Sequence, residues 1–336
     1  MLAALLPLAL ASLCVVQSGG HPRAASKPLR HAILPPARTN RAVNSVWLVE
    51  KTGSSEVYSN GLRIDDRFRV SNHPRAYLAF PLHPARQTAG VRRSGPAGIV
   101  FHATQSRQAP FEADQNGVLK KIGESLLEYV QRKRAYHFLI DRFGRVYRVV
   151  AEPDAANHAG FSVWADEESL YINLNQSFLG VAVEAQNHPG QDEPEMNPAQ
   201  VRAAAMLTEM LRYLYHIPAD HCVTHAQVSV NPANMQVGYH TDWASGFPFA
   251  QLGLPDNYTR PLPALWAFGF EYSPEFLQWA GKRLGSGIEA GDRLLGESAG
   301  AADVSLHAYR KLLQNQYHAL LAEVRRTNSG QSEDSE

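Results

Sequence analysis

Apolar residues recur along the chain with two periods, and the order in which those periods alternate predicts the architecture. Over residues 45–70, Val46, Leu48 and Val57 alternate with polar neighbours between turn signals at Gly53-Ser54 and Asn60-Gly61, which predicts short strands. Ile99, Val100 and Phe101 form a short apolar strand. From Gly117 to Arg134 the spacing becomes helical, at Leu119, Ile122, Leu126, Leu127 and Val130. Tyr136 to Val150 predicts two strands around a turn at Asp141-Arg142-Phe143-Gly144, and Leu179 to Ala185 predicts another apolar strand. Asn197 followed by Pro198 is a helix start, a capping side chain and then a first-turn proline. That helix runs to about Tyr215, with Val201, Ala205, Leu207, Met210, Leu211 and Leu214 inward. Cys222 to Thr224 opens the next strand or loop.

Past residue 260 the character changes. Ser273-Pro274 opens a helix containing Phe276, Leu277 and Trp279, and Ser305 to Val324 carries a helical stripe at Leu306, Tyr309, Leu312, Leu313, Tyr317, Leu321 and Val324. A Gly- and Ala-rich stretch separates the two. Strands interleaved with helices, with a hairpin in the middle, predict an α/β fold with a central mixed sheet flanked by helices. A β-hairpin region over 45–94 precedes a core domain over 95–255. A helical extension over 256–325 follows, then a polar tail over 326–336 that reads as disordered. The C-terminal helices read either as packing on the core domain or as a docking element.

The two ends and the charge narrow the function class. Leu2 to Val16 is an apolar run broken only by Pro7 and Ser12, too short to span a bilayer comfortably, so residues 1–20 read as a signal segment. Cys14 stands where a lipoprotein cysteine could sit, although Leu13 is larger than the small residue usual before one. The two readings are a membrane tether through a lipidated Cys14 and plain secretion. Residues 21–44, rich in Pro, Arg, Ala and Ser, read as a linker. Lys plus Arg and Asp plus Glu number 32 each, so nothing marks a nucleic-acid binder. With only two cysteines, Cys14 and Cys222, a disulfide framework and a cysteine-rich zinc module are both excluded. A metal site in this chain must use histidine and carboxylate.

Among 14 histidines, two sit at strand ends beside other polar groups. His102 closes the strand Gly98-Ile99-Val100-Phe101. His225 follows Cys222-Val223-Thr224 and begins a long loop that ends at Gly238-Tyr239-His240-Thr241-Asp242-Trp243. Zinc accepts two imidazoles and a carboxylate at about 2.0–2.2 Å and keeps a fourth position for water. A rival pair, His221 and His225, would need a helix, which the β-branched Val223 and Thr224 oppose.

At this point the motifs line up with a known family. GIVFHAT at 98–104, YHFLIDRFGRVYRV at 136–149, NHAG at 157–160, NQSFLGVAVEAQ at 175–186, and THAQVSVNP with GYHTDW across 224–243 resemble, in this order, the zinc amidases of the N-acetylmuramoyl-L-alanine type. The resemblance extends to the peptidoglycan recognition proteins and phage amidases of the same fold, and it spans about residues 95–255. It implies a zinc cofactor held by His102, His225 and Asp242, the last standing where some members have cysteine. It implies Glu184 as general base, as in one branch, and Tyr136 as a tyrosine near the metal, as in another. His158 falls in the substrate groove, with Asn157 beside it and Trp243 as a stacking surface; Trp164 and Tyr171 are further aromatics of the kind that usually build a core. His240 departs from the lysine that the family often carries two residues before the third ligand, and takes over its place beside the developing oxyanion.

The activity implied is zinc-dependent hydrolysis of the amide between N-acetylmuramic acid and L-alanine, with peptidoglycan or a muropeptide as substrate. The chain is then expected to be exported: periplasmic, anchored at the outer membrane as a lipoprotein, or extracellular. Two readings from other classes stand beside it: a non-catalytic module that binds peptidoglycan, and a zinc peptidase acting on another cell-wall peptide.

Overall fold

Two antiparallel turns and a run of parallel strands build one large sheet. The computed structural model describes residues 43–82, 89–186 and 196–333; the signal segment with Cys14, nearly all of the linker and the last three residues lie outside the described residues. The first strands, β1 (Leu48–Thr52), β2 (Ser55–Tyr58) and β3 (Arg63–Asp65), are joined by the turns at Gly53 and Gly61, where φ is positive. β4 (Tyr77–Pro81) and β5 (Val91–Arg93) follow, then β6 (Gly98–Ala103), helix α1 (Asn116–Lys133), and the hairpin of β7 (Phe138–Ile140) and β8 (Val146–Arg148). β9 (Val163–Ala165), β10 (Ser169–Ile172) and the single turn α2 (Leu174–Ser177) lead into β11 (Phe178–Val183) and helix α3 (Pro198–Tyr215). β12 (Cys222–Thr224), the short α4 (His225–Val228) and the small hairpin of β13 (Val230–Asn231) and β14 (Gln236–Val237) complete the site region. The helices α5 (Pro263–Trp266), α6 (Pro274–Ala301) and α7 (Leu306–Glu333) finish the chain.

The large sheet has the order β1-β2-β3-β8-β7-β11-β6-β12 and is mixed, with β7, β11, β6 and β12 mutually parallel. A second, antiparallel sheet has the order β5-β4-β10-β9. Side-chain alternation along the parallel strands sends two sets of residues to opposite faces. Phe101, Phe138, Ile140, Val181 and Val183 meet Ala203, Leu207, Met210 and Leu211 of α3. Leu139, Tyr147 and Ala182 meet Leu127 and Val130 of α1. His102 is in register with Ala182, so it points to the α1 face, out of the hydrophobic layer beneath α3.

The C-terminal helices share the large core. Trp266, Leu284, Ile288, Tyr309, Leu313 and Tyr317 are buried in the same cluster as the α3 residues, with α5 against β9 and α7 against β10. No helix among the described residues is long and apolar enough to cross a membrane.

The Gly- and Ala-rich stretch between the two predicted helices is itself helical: α6 runs to Ala301, kinked at Gly281 where φ is 60°. Gly287 and Gly291 serve close approach, since a Cβ at Gly287 would stand 2.2 Å from the Tyr258 carbonyl oxygen and one at Gly291 3.1 Å from the Leu262 backbone. Several local expectations are corrected. The tail expected from residue 326 is helical as far as Glu333, because α7 is already nucleated by its buried stripe and propagates beyond it. Leu214, Leu306 and Leu312 are exposed rather than inward. They lie off the buried stripe of their helices, which residues 207, 210 and 211 and residues 309, 313 and 317 define. β4 and β5 fall within the expected β region over 45–94, whereas β9 and β10 add strands that the hydrophobic pattern does not predict.

The N-terminus of α3 ties the fold to the site. The Asn197 Oδ1 accepts from the backbone N–H of Ala199 and Gln200 at 3.0 Å each, and the Gln200 Oε1 accepts from the Asn197 N–H at 3.2 Å, a reciprocal capping box. The same two side chains reach across the sheet end: the Asn197 amide donates to the Arg142 carbonyl at 2.7 Å and the Gln200 amide to the Glu184 carbonyl at 2.9 Å. Asn197→Ala is expected to lower the unfolding free energy by about 1–2 kcal/mol in urea titrations. An unchanged midpoint would show that the cap contributes nothing.

Candidate metal centre and its flanking clefts

The centre follows from strand register. Cys222, Val223 and Thr224 pair with Ile99, Val100 and Phe101 in parallel, so the next position on each strand puts His225 beside His102. Both stand at the carboxyl ends of adjacent parallel strands, the edge where open α/β sheets collect their functional groups. The chain after His225 makes the turn of α4 and the β13–β14 hairpin and then returns, with the Ala226 N–H donating to the Asp242 carbonyl at 3.2 Å. This compact excursion, rather than an open loop, delivers Asp242. Its Oδ1 lies 2.7 Å from His225 Nδ1 and its Oδ2 3.3 Å from His102 Nδ1.

His102 and His225 are 1% and 4% exposed, and the Asp242 side chain is 11% exposed. Their potential ligand atoms all lie within 4.8 Å of one another. Ligands about 2.0–2.1 Å from a tetrahedral ion stand about 3.3 Å apart, close to the His102–Asp242 separation. Burial pulls the His102 imidazole down to about 4, helped by neighbouring His225, so His102 is neutral at pH 7. Burial alone would raise the Asp242 carboxyl, but the imidazoles of His225 and His102 outweigh it and hold the group well below the usual carboxylate range.

His158 fixes which nitrogen of His102 faces the carboxylate. Its Nε2 lies 3.2 Å from the Phe178 carbonyl, which can only accept, so Nε2 carries the proton. Burial, with His102 and His137 nearby, holds His158 well below its usual range and therefore neutral, so its Nδ1 is an acceptor. The His102 Nε2–H then donates to His158 Nδ1 at 3.1 Å, and the His102 Nδ1 lone pair faces Asp242. Two acceptors confront each other there, which suits a cation between them. Nε2 of His225 is buried with no hydrogen-bond partner among the described residues. The loop that carries His158 is pinned by Asn175, whose Oδ1 accepts from the N–H groups of His158, Ala159 and Gly160 at 2.8, 2.7 and 2.8 Å. Gly180 leaves room for the imidazole, since a Cβ there would stand 2.6 Å from its Cγ.

The other predicted residues fall in three groups. Tyr136 and His240 flank the trio. The Tyr136 ring lies 5.0 Å from that of His102, on a backbone with φ of 60°, and burial followed by the Asp242 charge pushes its phenol above its usual range, so it remains a donor. The His240 ring stacks on that of His225 at 4.7 Å, the backbone N–H of His240 donates to the Ser229 Oγ at 2.9 Å, and partial burial with His225 beside it lowers the pKa of the imidazole.

Glu184 stands apart from the trio's contacts. Its backbone N–H donates to the Ile140 carbonyl at 2.8 Å, which continues the β11 ladder by one residue. Two residues beyond Ala182, the register partner of His102, it faces the same side with its Cα about 8 Å from that of His102. Its Oε2 accepts from the Arg142 N–H at 3.1 Å. Burial raises its carboxyl to about 7, partly opposed by that hydrogen bond.

In the third group the stacking role expected of Trp243 is corrected. Trp243 is 1% exposed, in a core of Phe247 and Tyr258, and so cannot stack on substrate. Its large apolar surface is more stable inside than in a wet groove. Trp164 and Tyr171 are likewise core. Asn157 is exposed, but its amide donates to the Lys133 carbonyl at 3.0 Å and its carbonyl takes the Tyr136 N–H, so it braces the Tyr136 backbone. The rival His221 lies at the opposite end of β12 from His225, paired with Asp166 at 3.3 Å. Sequence reading missed the tautomer-setting role of His158 and the support given by Asn175, Arg142 and Gln200. The only sequence signal for Asn175 was its place just before an apolar strand.

Two hollows lie beside the centre. One, of about 830 Å³, runs along α1 past Thr104, Ser106, Lys121, Leu126 and Tyr129. The other, of about 440 Å³, is walled by His158, Phe161, Ser229, Tyr239 and His240 together with Arg325 of α7.

Comparison with known proteins places these features. Residues 92–242 match the family described as N-acetylmuramoyl-L-alanine amidase. Among solved structures, the chain is similar to the N-acetylmuramyl-L-alanine amidase AmiD from E. coli, in complex with anhydro-N-acetylmuramic acid-L-Ala-D-gamma-Glu-L-Lys. The identity is 20% over 67% of this chain and 94% of that one, with a TM-score of 0.39. It is similar to the amidase LysC from Clostridium intestinale URNW, at 22% identity over 47% and 83% of the two chains with a TM-score of 0.29. It is also similar to the Drosophila peptidoglycan recognition protein SD, at 16% identity over 41% and 73% with a TM-score of 0.27. No curated protein matches the chain significantly.

The raised Glu184 carboxyl has a thermodynamic consequence. Unfolding returns it to an ordinary value, so between about pH 4.5 and 7 the folded state binds the extra proton and stability falls as pH rises. Glu184→Gln, measured by urea unfolding of chelator-treated protein, is expected to gain stability over the wild type between pH 5 and pH 8, on the order of 2 kcal/mol. Parallel pH profiles for the two proteins would contradict the assignment.

Proposed function

Through residues 92–242 the chain belongs to the N-acetylmuramoyl-L-alanine amidase family, and from that premise we propose that it uses zinc at His102, His225 and Asp242 to cut the amide between N-acetylmuramic acid and L-alanine in peptidoglycan fragments. The observation that carries the reading is the convergence of two buried imidazoles on one buried carboxylate, with potential ligand atoms within 4.8 Å of one another. Zinc, when bound, supplies Lewis acidity: it makes water acidic enough to ionise near neutral pH and draws electron density from a carbonyl oxygen. The donor set fits, with two nitrogens and one carboxylate and room for a fourth position.

The chain's own residues do the rest. Glu184, with a carboxyl near 7, is partly ionised at neutral pH and so suited both to take a proton and to return it. Its carboxylate accepts a proton from the attacking water as the C–N bond of the lactyl amide is replaced by a C–O bond. It then passes that proton to the departing nitrogen, so that L-alanine leaves as a free amine and the lactyl group as a carboxylate. The Arg142 N–H holds the carboxylate in place. Tyr136, which stays protonated, and His240, a neutral imidazole, face the centre as hydrogen-bond donors for the oxygen that gains charge. His158 acts through His102, by keeping its Nδ1 free of a proton. Substrates of the kind named for the E. coli AmiD complex, a muramoyl sugar bearing L-Ala and γ-linked Glu, supply this amide. An exported chain would meet them outside the cytoplasm, which the apolar N-terminal run favours.

The test is release of stem peptide from purified peptidoglycan by full-length protein, with zinc and with a chelator. Release is expected with zinc and not with the chelator. Glu184→Gln is expected to keep one zinc per chain and to lose about 10²–10⁴-fold in kcat. Binding to peptidoglycan without any release by zinc-loaded wild type would favour the recognition-module reading. Separately, His158→Ala is expected to weaken zinc binding about 10- to 100-fold in chelator competition. An unchanged affinity would remove His158 from the support of the centre.

A further inference from the structure

Residues 70–76 lie upstream of the stretch matched by the amidase family, yet they are bound along the chain that leads to the His158 loop. Val70 bridges to Val150 and Pro74 to Asp154. The Arg75 N–H donates to the Pro153 carbonyl at 2.8 Å, the Asn72 amide to the Ala155 carbonyl at 2.7 Å, and the Ala155 N–H to the His73 carbonyl at 3.0 Å. From this segment the Arg75 side chain turns inward, and the residue is 2% exposed. Among the described residues its guanidinium finds backbone carbonyls in place of a carboxylate. Nε donates to Glu152 at 3.1 Å, Nη2 to Asp154 at 3.1 Å, and Nη1 to Gln176 at 2.6 Å and to Phe178 at 3.2 Å. Nη2 also lies 2.6 Å from Nε2 of His137, which reaches the same Asp154 carbonyl. Burial lowers the guanidinium to about 10, so it is a cation at neutral pH.

The four carbonyls belong to two segments, and both lead to His158. Residues 152–154 run into the loop that carries it. Residues 176–178 run into β11, and the Phe178 carbonyl accepts from both Arg75 Nη1 and the His158 Nε2–H. A guanidinium is planar, with five N–H donors in fixed directions. One rigid group therefore sets the spacing between the loop that bears this imidazole and the carbonyl that orients it. A buried cation without an anion is costly to desolvate, and an apolar side chain would fill the same space without that cost. The contacts made by the fork, rather than packing, account for an arginine here.

We propose that Arg75 is a positioning residue of the metal centre: it fixes the Phe178 carbonyl against the His158 Nε2–H, and through His158 it keeps the His102 nitrogen that faces Asp242 free of a proton. The proposal rests on the metal-binding part of the amidase reading and extends the support of the centre to a residue outside the matched stretch. The effect of Arg75 passes through His158, so it vanishes when the His158 imidazole is removed.

The experiment is a double-mutant cycle on zinc affinity, measured by chelator competition on full-length protein carrying Arg75→Met, Arg75→Lys, His158→Ala and their combinations. Arg75→Met is expected to weaken zinc about tenfold in the wild-type background, the lower end for loss of outer support. Beside His158→Ala the same change is expected to cost less than about twofold. Arg75→Lys, which keeps the charge and loses the fork, is expected to lie between Arg75→Met and the wild type. Nitrogen NMR of the His158 ring in metal-free protein is the second readout. The wild-type ring is expected to be protonated at Nε2, and the ring in both Arg75 variants to be a mixture of tautomers. A brace for stability alone would lower the urea midpoint and leave the ring unchanged.

No loss of zinc affinity in Arg75→Met, equal losses with and without His158, or an unchanged His158 ring would overturn the proposal. Where Arg75→Met does not fold, the Arg75→Lys cycle decides by the same comparison. The ring tautomer needs no metal, so it tests Arg75 even in a protein that binds no zinc. Non-additive zinc losses in a protein that releases no stem peptide would count against the amidase reading alone. Peptide release by the wild type, with additive losses, would count against Arg75 alone.

Discussion

One constraint organises the site: a carboxylate that is almost dry must be neutralised by what surrounds it. Asp242 faces two imidazole nitrogens, and the hydrogen bonds behind His102 leave its facing nitrogen without a proton. On the His102 side the facing nitrogen and carboxylate oxygen are both acceptors, and a buried polar contact without a donor is unfavourable. The divalent ion proposed above would resolve that conflict with the donors already present. The supporting groups read as consequences. His158 sets a tautomer, Asn175 holds the His158 loop with three hydrogen bonds, and Gly180 is bare of a side chain where that imidazole must lie.

The sheet explains why residues more than a hundred positions apart meet. β11, β6 and β12 run parallel and end together, so Glu184, His102 and His225 emerge at one edge from three adjacent strands. Hydrophobic packing against α3 on one face and α1 on the other fixes the strands. The same α3 reaches the edge through its capping residues, which hold the Arg142 and Glu184 backbones. Stability and chemistry therefore share side chains. Burial treats the two groups oppositely: His102 is driven neutral and Glu184 is driven up to about 7, the states that the proposed roles of ligand and proton carrier require.

Much of this was legible in the sequence because its signals were local. The Asn197-Pro198 start, the turn at Asp141–Gly144 and the apolar runs ending at His102 and Glu184 each need only a few neighbouring residues to be read. The contact of His102 with His225 is a register fact, and register depends on the whole sheet; the local pattern offered both as strand-end histidines, and the family resemblance joined them with Asp242 as one ligand set. Trp243 misled because an aromatic beside a ligand looks the same in sequence whether it lines a groove or fills a core; only packing decides, and it is 1% exposed. The glycine-rich segment carried no clear local signal: in α6, Gly287 and Gly291 admit the backbone of residues 258–262 at close range, a tertiary demand that overrides propensity. The tautomer set by His158 had no local signal, since it depends on the Phe178 carbonyl twenty residues away.

The proposed chemistry depends on a cation between Asp242 and its two histidines. The direct measurement is calorimetric titration of chelator-treated wild type and Asp242→Asn with zinc, beside nitrogen NMR of the His102 ring in the metal-free protein. One tight site per chain, weakened at least about 100-fold in the variant, with a ring protonated at Nε2, is the expected result. Equal zinc binding by both proteins, or a His102 ring protonated at Nδ1, would contradict it.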